Sequence, residues 1–475
     1  MTPIEPINLN TAQTLYKTVL LNPPGDKMIL RDYYCAKVSK ARYYYHPVDF
    51  IYLSGRLAAL GELMVIDAIA SQLSAEETLD KISRFEPSAV IFLSSAPSFV
   101  ADMAFMQRLS VQLPHTQIIG TGDVFRDYGK EAMIRYPFMH AVFIDFSTDD
   151  IIRTLTHQSG VINNVIYRKN NELIAGTELH GNGVFDVPLP RWDLFDIAAY
   201  RFPFARRKPF ASILTDFGCP FSCDFCPVSS LGFKLRSIDS VIEEMTLLSQ
   251  MGVKELYIRD QTFGANRKRT VALLNAMLDK SLKFSWTGLS RADILDVELV
   301  KLMKKAGCHT LMIGIESAND NLMAVHKKNT RVSEVSEKIS QIRSTGVRVG
   351  GFFMIGFPGE SKESVLNTIR LALSLKVDYA SFNIATPRLG THFRRHAIEQ
   401  GLVQSENIDA ESSSAMPVWQ NQQLSNNELF NLRRMAVRKF YLRPLYLLKR
   451  FAGIRTLNEL SNLINEGFAL LSKTR

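Results

Sequence analysis

Between Thr18 and Ala385 short apolar runs alternate with amphipathic stretches, and this alternation restricts the chain to an α/β architecture built on parallel strands. In the first series TVLLNPP, LMVIDAIA, AVIFLSS, TQIIG and HAVFIDF read as strands. VDFIYLSGRLAALG, SAEETLDKISRF, MAFMQRLSVQL and YGKEAMIRY read as the helices between them. Ser74 and Glu77 have capping-box spacing. Five βα units over residues 1–158 predict a doubly wound parallel sheet. Ligands of such sheets collect beyond the carboxyl ends of the strands, which places Asn22, Ser94, Gly120 and Gly122 among the candidate contacts. Tight turns favour the same residue types, so both readings of these loops stand. No GxGxxG follows the first strand, which argues against an ordinary dinucleotide fold.

Residues 159–208 read as a hairpin turning at Lys169, Asn170 and Asn171, then a Pro- and Arg-rich linker. The alternation resumes over 209–400 with six units, from ASILTDF to YASFNIA, which predicts a partial (β/α)6 TIM-like barrel. Residues 401–475 read as a C-terminal helical region. No basic segment with a long apolar run opens the chain, and no apolar stretch reaches the length of a membrane span. The expectation is a cytoplasmic protein.

Five cysteines, an odd number in 475 residues, do not form the framework of a small secreted protein. Three of them, Cys219, Cys223 and Cys226, form C-x3-C-x2-C immediately after the first barrel strand. A structural zinc site takes four ligands, and no second CxxC exists. A disulfide leaves one thiol over. An iron-sulfur cluster held by three thiolates keeps one iron open to a small molecule. Cys308 reads as a small buried hydrophobe, and Cys35 carries no motif.

The spacing of this loop, its place after the first barrel strand and the aromatic Phe225 before the last cysteine resemble the radical S-adenosylmethionine (SAM) superfamily. The resemblance implies a 4Fe-4S cluster on Cys219, Cys223 and Cys226 whose open iron chelates SAM, with reductive cleavage to a 5′-deoxyadenosyl radical. It also implies SAM contacts at successive strand ends: Asp260 in IRDQTF, Arg291 in GLSRADIL, Glu316 and Ser317 in GIES, and Gly356 in FMIGFPGE. TPRLGT, from Thr386, resembles the family's TPxPGT with Leu389 in place of proline. The competing reading makes these residues a buried ion network and a helix-opening turn.

The order of parts, a wound domain ahead of the barrel and a tail behind, resembles the cobalamin-binding class of that superfamily, which includes anaerobic magnesium-protoporphyrin monomethyl ester cyclases and many methyltransferases. The resemblance implies cobalamin in the first domain. DxHxxG is absent, GDKMILRDYY standing in its place, and GTGDVF and IDFSTDD stand where the class often has GGxHxT and GEGE. His46, Tyr43, Tyr44 and Tyr45 read as packing residues near the mouth rather than ligands.

The leading expectation is therefore cobalamin-dependent C-methylation of a metabolite. Oxidative cyclisation or rearrangement without methyl transfer is the alternative, and a non-catalytic cofactor-binding sensor a third. An electron donor such as flavodoxin or ferredoxin is implied, and no nucleic acid. The net charge of +9 is partly local, since 430–458 carries many Arg and Lys residues and no acid. That stretch reads either as a helix pair with an apolar side on the body and a basic side in water, or as an interfacial element meeting a membrane surface or a lipid-like substrate.

Overall fold

The computed structural model describes residues 16–464 apart from 35, 40–42, 157–159, 171, 179–180, 405–407, 409–418, 420, 455 and 457. Cys35, Asn171 and the two ends of the chain, 1–15 and 465–475, lie outside the described residues.

β1 (Tyr16–Asn22), β2 (Gly61–Asp67), β3 (Ala89–Leu93), β4 (Gln117–Thr121) and β5 (Ala141–Phe143) pair in parallel in the order β2-β1-β3-β4-β5. Chain direction of travel reverses between β1 and β3, so the crevice beyond Asn22 and Leu93 is the switch point of a doubly wound sheet. AVIFL of β3 is buried at every position because helices cover both faces. Ser74 and Glu77 form the expected capping box on helix Ala75–Phe85. The expected hairpin is present as β6 (Val165–Lys169) and β7 (Glu172–Ala175), and β6 pairs antiparallel to β5. It thereby lengthens the first sheet to seven strands. The linker that follows is fastened to the barrel by fully buried Trp192, whose indole N–H donates to Glu244 at 2.8 Å.

The second sheet holds β8 (Phe210–Ile213), β9 (Glu255–Ile258), β10 (Ser285–Ser290), β11 (Cys308–Glu316), β12 (Arg348–Ile355) and β13 (Tyr379–Ile384), parallel and in sequence order. Ser237, Asn266, Asp296, Ser361 and Thr391 open five of its helices with side-chain caps. This is the six-unit partial barrel that the alternation predicts. The run ASILTDF differs from expectation: it is not one strand. β8 stops at Ile213 because the Leu214 N–H donates to Tyr52 Oη at 2.6 Å and the Thr215 N–H to Asp260 at 2.6 Å. The chain then turns into a separate ribbon in which Asp216–Gly218 pairs with Phe233–Arg236.

Helix Asn426–Tyr441 lays Leu429, Leu432, Ala436 and Phe440 against the barrel beside β13. Tyr441 Oη donates to the Ala380 carbonyl at 2.8 Å and accepts from its N–H at 3.2 Å, and Arg433 donates to the Phe382 carbonyl. A second tail helix, Pro444–Ala452, follows. Among the described residues no helix is long and apolar enough to cross a membrane.

Candidate active site

The cysteine loop is held at both ends. Gly218 has φ of 83°, and a side chain there would meet the Gly232 carbonyl at 2.0 Å, so only glycine permits this crossing. The Cys219 N–H donates to the same carbonyl at 3.0 Å. At the far end Cys226 leads into the turn Pro227–Ser230, whose Ser229 hydroxyl donates to the Cys226 carbonyl at 2.7 Å. Between them Asp224 accepts from His326 Nδ1 at 2.9 Å, tying the loop to the segment after β11. All three cysteines are free thiols. Cys223 is buried, and that burial pushes its thiol pKa up, while Lys328 and Arg291 pull it back.

Arg291, in the turn after β10, reaches the loop with Nη1 at 3.5 Å from Cys223 Sγ. Its guanidinium is aimed by two bonds to Asp293, at 3.0 and 2.9 Å, and lies over the Phe221 ring at 4.1 Å. Glu316, at the end of β11, pairs with buried Lys328 at 3.0 Å. Glu316 adopts φ of 67°, a conformation that costs a non-glycine residue about 1–2 kcal/mol and persists only where the surroundings impose it. Gly314 leaves the room: a side chain there would stand 2.4 Å from Glu316 Oε1 and 2.9 Å from Lys328 Nζ.

The remaining strand-end residues take other parts. Asp260 is buried and its two oxygens accept from the Thr215 N–H, the Thr215 hydroxyl and the Asp216 N–H, so it sets the end of β8 that leads into the cysteine loop. The Ser317 hydroxyl is engaged with Thr368 and the Asn319 N–H. The Gly356 and Phe357 N–H groups both donate to Glu360, at 2.6 and 3.1 Å, and Gly356 makes room for Leu429 of the tail helix. Phe225 packs against Phe357 and His326. Asp260, expected beside a ligand, is thus saturated by backbone and hydroxyl donors, and Ser317 and Gly356 shape their turns.

At the carboxyl edge of the first sheet the same closure is more complete. Asn22 is buried and accepts from Arg31 Nη1 at 2.7 Å while its amide donates to Tyr44 and Asp67. Arg31 pairs with Asp102, whose carboxylate also accepts from the Ser94 hydroxyl at 2.9 Å. A side chain at Gly120 would strike the Phe125 ring at 2.7 Å, and one at Gly122, with φ of 121°, would strike the Ser94 carbonyl at 2.0 Å. Asn22, Ser94, Gly120 and Gly122 therefore spend their polar atoms and their space on the protein itself, and they form the floor of the switch point. His46 stacks on Tyr200 at 4.0 Å with its pKa lowered to about 3 by burial, and Tyr44 and Tyr45 are buried in the same aromatic cluster, as packing residues should be.

Above that floor a cleft opens between the two sheets. The first domain contributes Tyr33, Tyr34, Asp123 and Arg126, and the barrel contributes Pro227 of the cysteine loop together with Arg388 and Arg394. Asp123 is half-buried; Oδ2 accepts from the Ala36 N–H at 2.8 Å, and Oδ1, itself shielded from solvent, has no hydrogen-bond partner. Burial raises its pKa to about 7. Arg126 spans the cleft to the Pro227 carbonyl at 3.2 Å and to Ser230, and Gly390, with φ of 75°, leaves space for its guanidinium.

Residues 214–372, which include the cysteine loop and the strand ends after it, match the Radical SAM superfamily. These residues form a radical SAM domain, and the chain is an enzyme of that type. An uncharacterized methyltransferase of Pyrococcus horikoshii is 29% identical to it over 85% of this chain and 89% of its own length. The anaerobic magnesium-protoporphyrin IX monomethyl ester cyclase of Cereibacter sphaeroides is 24% identical over 72% of this chain and 58% of its own length. In fold, the chain is similar to the cobalamin-dependent S-adenosylmethionine radical enzyme OxsB, solved with aqua-cobalamin and S-adenosylmethionine bound, at a TM-score of 0.70, 11% identity, 96% of this chain and 72% of that one.

The radical SAM enzyme's own residues fit the 4Fe-4S cluster of that superfamily: three free thiols project from one clamped loop, and the cations Arg291 and Lys328 both act on the Cys223 thiol. Sequence reading missed Lys328, Gly314, His326 and Arg126. HKKNT carries no apolar period or motif spacing, and Arg126 acts across the domain interface, so neither shows a local signal.

Proposed function

We propose that this radical SAM enzyme is a cobalamin-dependent C-methyltransferase acting on a small or lipid-like metabolite. The cleft carries the reading, because it is bounded on one side by the carboxyl edge of the wound sheet and on the other by the cysteine loop. Cys219, Cys223 and Cys226 would hold the cluster, which with SAM supplies one-electron cleavage to a 5′-deoxyadenosyl radical. Arg291 offsets the charge of the three thiolates, and Glu316 and Lys328 face the region where SAM would lie, held in one arrangement by their mutual ion pair. Asp123, Tyr33, Tyr34 and Arg388 would face cobalamin. The unpartnered Asp123 oxygen suits an N–H donor of the kind that the amide groups of a corrin present. Asn22, Ser94, Gly120 and Gly122 would support that surface from below. Reduction of the cluster calls for a low-potential donor such as flavodoxin or ferredoxin.

The relationship to the cyclase of Cereibacter sphaeroides supports a second reading, oxidative cyclisation or rearrangement by the same radical. One experiment separates the two. Anaerobically reconstituted enzyme is given cobalamin, reductant, SAM labelled in its methyl group, and an extract of candidate substrates. Label in a product carbon supports methylation, whereas 5′-deoxyadenosine formed without methyl incorporation supports cyclisation. Absence of both products would overturn the radical reading.

A further inference from the structure

Among the described residues, the second tail helix, Pro444–Ala452, is held on one side. Tyr446 Oη donates to the Asp378 carbonyl at 3.0 Å, Arg450 lies over the Tyr379 ring at 4.3 Å, and Arg443 donates to the Leu373 carbonyl at 3.1 Å. These contacts fix which side faces away. On that side Leu445, Leu448 and Phe451 recur at three-residue spacing, 82%, 67% and 60% exposed. Residues three apart share one face of a helix, so these side chains form a single apolar ridge. A water-facing helix carries polar residues there; this one carries its apolar residues outward.

The charges around the ridge select what covers it. The last turn of the preceding helix exposes Arg438 and Lys439, and the whole stretch 430–458 holds no Asp or Glu. A ridge of leucine and phenylalanine that follows the exposed cations Arg438 and Lys439 is complementary to the headgroup boundary of an anionic bilayer, where apolar side chains enter the acyl region and cations remain among phosphates. We propose that helix Pro444–Ala452 is a peripheral membrane anchor that seats the enzyme on anionic lipid.

The test uses the full chain with its cluster reconstituted, sedimented with vesicles. One set is equal parts phosphatidylglycerol and phosphatidylcholine, the other pure phosphatidylcholine. The anionic vesicles should bind the protein at least about tenfold more tightly than the neutral ones, and added salt should weaken that binding. The triple variant Leu445→Ser, Leu448→Ser, Phe451→Ser and, separately, the double variant Arg438→Glu, Lys439→Glu should each lose at least about tenfold in binding while keeping the wild-type thermal midpoint. Equal binding to neutral vesicles, or none to anionic ones, overturns the proposal. So does self-association in the absence of lipid that the triple serine variant abolishes, which would make a second copy of this chain the partner of the ridge.

Discussion

The carboxyl edges of the two sheets obey one topological rule and reach opposite ends. In the first domain Asn22, Arg31, Ser94 and Asp102 turn their polar atoms toward one another, and Gly120 and Gly122 give their space to Phe125 and to the backbone at Ser94. In the barrel the loop after the first strand keeps three free thiols, with Arg291 and the Lys328 and Glu316 pair beside them. The switch point of a wound sheet and the mouth of a barrel are both where ligands gather, but topology only chooses the place. Whether the place is open depends on which polar groups the chain leaves without a partner inside it, and here that distinction falls on Asp123 for the first domain and on the cysteines for the second.

The comparison is broken most severely at the barrel. Cys223→Ala should abolish iron-sulfur absorbance and SAM cleavage together; cleavage that survives would remove the three-thiolate site. At the sheet edge the expected loss is in stability instead. Arg31→Ala leaves Asp102 as a buried carboxylate without its cation, so urea unfolding should show a loss of about 3–5 kcal/mol, while a low-temperature spectrum should still show the cluster. Loss of the cluster in that variant would mean the two edges do not act separately.

Asp123→Asn sharpens the contrast through pH. The folded pKa, raised from 3.8 to about 7, means that the folded state retains a proton the unfolded chain releases. The stability tied to the neutral acid is therefore fully present below the unfolded value and is lost as pH rises through about 7. Without cofactors the Asn variant should match wild type near pH 4 and exceed it at pH 8, on the order of a few kcal/mol, read as a difference in thermal midpoint. A constant offset at all pH values would remove the titration from Asp123. The smallest effect is expected for Gly390→Ala, about 1–2 kcal/mol, because the positive φ disfavours a side chain and the flexible end of Arg126 can shift.

Much of this was legible before any coordinates. The apolar alternation reached every parallel strand of both sheets, because buried parallel strands need near-continuous apolar runs and tight turns. The cysteine loop was legible from spacing and position together. The break after Ile213 was not, since it depends on Tyr52 and Asp260 arriving from distant parts of the chain. For the same reason the residue types at the strand ends do not disclose that Thr215 holds Asp260, or that Arg31, Tyr44 and Asp67 hold Asn22. Lys328 was invisible because its meaning comes from Glu316, Gly314 and Arg291 meeting around it. The tail reads either as a helix pair with its apolar side inward or as an interfacial element, and only the first of these sets an inward pattern for both helices. The first helix follows that pattern, and the second reverses it.

An open barrel has a last strand with a neighbour on one side only, and in this chain that strand is β13. The outward backbone groups of Ala380 and Phe382 are met by the side chains of Tyr441 and Arg433. A row of unpaired N–H and C=O groups is a template on which another chain can add a strand. Helix Asn426–Tyr441, synthesised after the barrel, is what masks it. Until that helix is complete the nascent barrel exposes a sticky border, so truncation before residue 426 should turn a soluble product into inclusion bodies even though every residue of the cysteine loop remains.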